Sequence, residues 1–72
     1  MLNVRSTDRR GRHRDADRRA LLEAAERVFS RAGFAGASMR DIAGEAGISV
    51  GGVYQYFSSK DDLYLAVLEK YW

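Results

Sequence analysis

Apolar residues recur at spacings of three and four along most of this chain, and the breaks in that rhythm fall at glycines and serines. Leu21, Ala24, Ala25, Val28, Phe29 and Ala32 form one stripe, which predicts an amphipathic helix of about four turns. The pattern begins at Asp15 or Asp17, where an acid suits a positive helix end, and carries Arg27 and Arg31 towards the negative one. Gly33 is placed to stop it, with Phe34 tucking under, and Gly36 and Ala37 lead on to Ser38. A second helix starts at that Ser38 cap. In it Ile42, Ala43 and Ala46 share one face, while Arg40, Asp41, Gly44 and Glu45 point elsewhere. Gly47 ends the second helix, Ile48 supplies the hydrophobic contact past that end, and Ser49 caps a third helix that buries Val53 and Phe57. Gly51, Gly52 and Gln55 are left on the opposite arc.

After Phe57, Ser58 and Asp61 read as a weak capping box, and a fourth helix runs from residue 59 onward. Leu63, Tyr64, Leu65, Val67, Leu68, Tyr71 and Trp72 spread over an apolar arc of roughly 200°, about twice what a surface helix needs. Half of that arc is expected to face a domain or partner beyond these residues; the plainer alternative is a crowded core with a few exposed aromatics. The expected fold is all-α: a three-helix, homeodomain-like head with its helix-turn-helix at residues 38–57, plus the start of a fourth, linking helix.

Composition narrows the picture. The chain has 72 residues, no Pro and no Cys. This is one small domain, burying only about 60% of its unfolded surface and lacking disulfides. The absence of Cys fits a reducing, cytoplasmic setting, and residues 15–72 form the expected domain. No apolar run approaches the ~20 residues needed to cross a bilayer, and the first fifteen residues contain no apolar leader core.

The formal charge of +2 hides an asymmetry. Residues 1–19 hold seven arginines (Arg5, Arg9, Arg10, Arg12, Arg14, Arg18, Arg19) against Asp8, Asp15 and Asp17, a net of +4. The remaining five cations face seven acids, a net of −2. Residues 1–14 are therefore expected to be a disordered basic arm, either a solubilising tail or a segment that lies along nucleic acid.

Enzyme chemistry finds no inventory. The single His, His13, lies in the arm, and there is no Cys. Asp61 and Asp62 would point about 100° apart on a helix, and Glu23 and Glu26 face solvent, so no metal or catalytic cluster assembles. A nucleic-acid surface fits better. Two adjacent glycines in an exposed helix cost about 1 kcal/mol each relative to Ala, and close backbone approach to a partner would explain them. Gln55 and Arg40 are the residue types that pair bidentately with adenine and guanine in the major groove. Tyr54 and Tyr56 could offer hydroxyls to phosphates, and Lys60 sits at the start of the fourth helix.

From Arg19 to Leu68, the runs LLEAAERVFSRAGF, SMRDIAGEAGIS and VYQYFSSKDDL resemble the N-terminal DNA-binding domain of the TetR family of bacterial transcriptional regulators. The resemblance implies a three-helix head whose third helix enters the major groove of double-stranded operator DNA. It implies a fourth helix leading to a C-terminal domain, absent from this chain, that dimerises and binds a small-molecule inducer. By position it implies phosphate contacts from Ser38, Tyr54 and Lys60, and base-facing roles for Arg40, Val50, Gly51, Gly52, Gln55 and Tyr56. A ligand-responsive repressor that binds a palindrome as a homodimer, with no cofactor, metal or membrane, is the implied whole. Two positions depart from the family pattern: Met39 follows Ser38 where a second hydroxyl is frequent, and Gly52 replaces a frequent Thr or Ser. Two other readings use the same helices, namely a protein-interaction module docking through the apolar fourth helix and a single-domain regulator complete at Trp72.

Overall fold

The computed structural model describes the backbone of residues 2–71 and the side chains of residues 16–71. Trp72, and the side chains of the arginines of the basic arm, of His13 and of Asp15, lie outside the described residues. Four helices follow one another: α1 (Leu2–Gly36), α2 (Met39–Ala46), α3 (Val50–Tyr56) and α4 (Lys60–Tyr71). No strand occurs among the described residues.

The apolar stripe of α1 forms one wall of the core, with Leu21, Ala24, Ala25 and Val28 at most 1% exposed. α2 and α4 both pack on it, and α3 packs on α2. Ile42, Val53 and Leu63 close the centre from the other three helices, each without exposed surface. Full burial of such side chains stabilises by about 1.5–3 kcal/mol apiece. Phe29, Phe34 and Tyr64 add an aromatic cluster between α1 and α4, with Tyr64 edge-on to Phe29 at 5.0 Å and tilted to Phe34 at 4.9 Å between ring centroids.

The backbone of α1 is drawn back to Leu2, across the segment expected to be a basic arm, whose side chains lie outside the described residues. Two expectations need correction. Gly33 does break the helix, with φ 77° and ψ 168°, yet a last turn follows it through Gly36. The cap of α4 is Ser59 and not Ser58: Ser59 Oγ accepts from the Asp62 amide at 3.1 Å, and the Ser59 carbonyl accepts from Leu63. The Ser58 hydroxyl instead donates to the Asp62 carboxylate. Burial of Leu63 and Val67 fixes the register that chooses between the two serines.

The other side of α4 is unfilled among the described residues. Leu65 is 58% and Tyr71 40% exposed, and Leu68 is half-buried. No helix among the described residues is long and apolar enough to cross a membrane.

Candidate nucleic-acid interface

The α2–α3 pair is held by its caps. Ser38 Oγ accepts from the Asp41 amide at 3.0 Å, and Ser49 Oγ from the Gly52 amide at 3.0 Å. In each case the hydroxyl hydrogen stays available for donation. Between the helices Gly47 takes the left-handed conformation, φ 76° and ψ 27°. Its amide and that of Ile48 return to Gly44 and Ala43, the paired closure that satisfies the last carbonyls of a helix.

This frame turns one face outward. Arg40, Val50, Gly51, Tyr54 and Gln55 are exposed, whereas Gly52 and Tyr56 are half-buried. Tyr56 packs against the core cluster, so its ring is partly structural. A shallow concavity of about 480 Å³ gathers Ser38, Arg40, Val50, Tyr54 and Lys60, five of the nine expected site residues. Gly51, Gly52, Gln55 and Tyr56 are not part of its lining.

The fold itself makes little demand for the two glycines. Neither has a positive φ, and a Cβ on Gly51 would meet only Ser49 Oγ at 3.9 Å. A Cβ on Gly52 would touch Ser49 Oγ at 3.4 Å and Ile48 Cδ1 at 3.5 Å, ordinary contact distances.

Lys60 does not extend freely into solvent. Its ammonium donates to the Phe34 carbonyl at 2.7 Å and the Ala37 carbonyl at 3.0 Å, and it sits 4.2 Å from the centroid of the Phe34 ring. The cation at the negative end of α1 therefore comes from α4. Arg27 and Arg31, read as serving that end, instead bind Glu45 of α2, at 2.9 and 3.2 Å. Hydrogen bonds from Arg27 and then Arg31 hold the Glu45 carboxyl below its ordinary value. Sequence reasoning placed Glu45 away from the core and missed both contacts. The i, i+4 spacing of Arg27 and Arg31, which puts both cations on one face of α1, was the available signal for the second. Arg18, counted with the tail, lies over the Phe57 ring at 5.2 Å and so belongs to the folded head. No His, Cys, Asp or Glu cluster suited to a metal ion occurs among the described residues.

A short capped helix presented outward by a predecessor across a glycine turn defines a helix-turn-helix DNA-binding domain. The family described as bacterial regulatory proteins, tetR family, matches residues 21–67, and the chain belongs to that family. It is 44% identical over 57 residues to the uncharacterized HTH-type transcriptional regulator YfiR of Bacillus subtilis (strain 168), covering 79% of this chain and 28% of that protein. It is 48% identical over 66 residues to the HTH-type transcriptional activator FasR of Mycolicibacterium smegmatis, covering 89% and 30%. Among solved structures, an HlyIIR mutant protein superposes with a TM-score of 0.79 at 36% identity, covering 81% of this chain and 32% of that one. The chain thus spans about three tenths of the length of the curated relatives it matches.

Proposed function

We propose that this domain binds double-stranded operator DNA sequence-specifically by placing α3 in the major groove. The observation that carries the reading is the pair Gly51 and Gly52 on a capped, outward helix, where the protein's own packing leaves room for a side chain. A partner that approaches the backbone closely accounts for them, and the major groove admits a helix of this width. Gln55 and Arg40 then face base edges, with Val50 and the two glycines offering apolar contact to thymine methyl groups and Tyr56 at the margin. Ser38 and Tyr54, through free hydroxyl hydrogens, donate to phosphates on the flank.

The head serves a longer regulator. The chain spans only about three tenths of its relatives, and α4 keeps Leu65 and Tyr71 exposed, a face suited to packing against further helices. In that whole protein the remaining residues dimerise, bind a small-molecule inducer and hold two heads on a palindrome, in the cytoplasm at the nucleoid. Repression follows where the operator overlaps a promoter; the relative FasR is named an activator, which fits an operator placed upstream.

Selection from a pool of randomised duplexes, followed by salt titration of the selected sequence, tests the reading. The expected result is a recurrent half-site and a log–log salt slope of roughly −0.9 per phosphate neutralised. Binding that ignores both sequence and salt would leave α4 as an apolar docking surface and remove DNA from the account.

A further inference from the structure

We infer that Lys60 is a positioning residue for the DNA-binding face and is not itself a phosphate ligand. The inference rests on the reading of that face as the duplex-binding one. The last carbonyls of α1 have no partner within their own helix and carry its negative end. Past the break at Gly33, φ 77°, the Ala37 amide donates to the Phe34 carbonyl at 3.3 Å, and the Phe34 and Ala37 carbonyls both accept from Lys60. The Lys60 ammonium lies between them, at 2.7 and 3.0 Å, with the Phe34 ring 4.2 Å away on its remaining side. Phe34 is itself fixed against Phe29 and Tyr64.

Two of the three ammonium donors are thereby committed to the link that immediately precedes Ser38. Ser38 caps α2 and sets the direction in which its hydroxyl and Arg40 leave the surface. A tie from the first turn of α4 to residue 37 consequently fixes where those two side chains meet a duplex. Releasing the ammonium to reach a phosphate would take from the Ala37 carbonyl this partner and leave the Phe34 carbonyl with the Ala37 amide alone, at 3.3 Å.

The consequences separate cleanly. A direct phosphate ligand contributes one released counterion, so its removal lowers the salt slope by about one. A positioning residue leaves that slope intact and weakens the contacts made by Ser38 and Arg40.

The test uses the 72-residue chain and a duplex selected by it from a randomised pool. Lys60→Met, at a temperature where it is fully folded, should bind about tenfold more weakly, the equivalent of one charge-assisted hydrogen bond, with an unchanged salt slope. A slope reduced by one makes Lys60 a phosphate ligand, and an unchanged affinity makes its bonds structural only; either overturns the inference. Should that variant not fold, nitrogen NMR of the parent decides. The Lys60 ammonium should exchange with water more slowly than that of Lys70 in the free chain, and should show no nitrogen–phosphorus coupling when the duplex is added. A freely exchanging ammonium, or a coupling to phosphorus, sinks the role while leaving DNA binding in place. A parent chain that binds no duplex overturns the DNA reading first, and the positioning role with it.

Discussion

The Ile48 amide donates to the Ala43 carbonyl at 3.0 Å, across the one left-handed residue between α2 and α3. That bond sets the angle at which α3 leaves its predecessor. It forms because Gly47 alone takes a conformation that would push a Cβ against a carbonyl. Gly47→Ala should therefore destabilise the domain by about 1–2 kcal/mol, although beyond its own backbone and its two chain neighbours a methyl there would meet nothing within 4 Å. Urea unfolding measures it; no change in the midpoint would mean that the turn does not depend on the left-handed residue.

The Glu45 carboxylate links α2 to α1 through Arg27 and Arg31, and its acidity is the handle on that link. Its folded value lies below the ordinary 4.5, chiefly because of the Arg27 hydrogen bond and next that of Arg31. A depressed carboxyl stabilises the fold above its unfolded pKa and loses that contribution as pH falls through the folded one. The urea midpoint of the parent should fall faster than that of Glu45→Gln as pH drops below about 4.5. Parallel curves for the two proteins would show that the ion pair contributes nothing to stability.

Much of this architecture was legible because burial and helical period agree. The stripe from Leu21 to Phe29, the Ser38 and Ser49 caps and the Gly47 turn each announce themselves within a few residues, whereas Ala32, read as the end of that stripe, is exposed. What was not legible joins residues far apart: Lys60 to Phe34, and Glu45 to Arg27 and Arg31. Local pattern carries no information about which helix face a charged side chain crosses to. The Ser58/Ser59 choice failed for a related reason, since local capping chemistry allowed either and the core register of Leu63 decided.

The basic segment is tested by its removal. Deleting residues 1–14 should lower affinity for duplex DNA and flatten the salt slope, because five arginines go with it. An unchanged affinity would leave the segment a solubilising tail.

Gln55 is exposed near the end of α3, where its amide can accept and donate at once. Gln55→Ala should reduce discrimination between operator variants by about 1–3 kcal/mol and leave the salt slope nearly as it was. Competition binding across single-base variants of the selected duplex is the measurement. Equal losses at every base pair would remove Gln55 as a reader.

Gly51 separates stability from recognition. In the free protein a Cβ there meets only Ser49 Oγ at 3.9 Å, and alanine is the better helix former by about 1 kcal/mol. Gly51→Ala should therefore stabilise the isolated domain, raising the melting temperature by up to about 4–8 °C. If α3 lies against base edges, the same methyl occupies space that the duplex needs, and affinity should fall by on the order of tenfold. The two effects have opposite signs, so neither general misfolding nor general tightening can imitate them. A variant that is more stable and binds its selected duplex as well as the parent would show that the glycine does not face DNA.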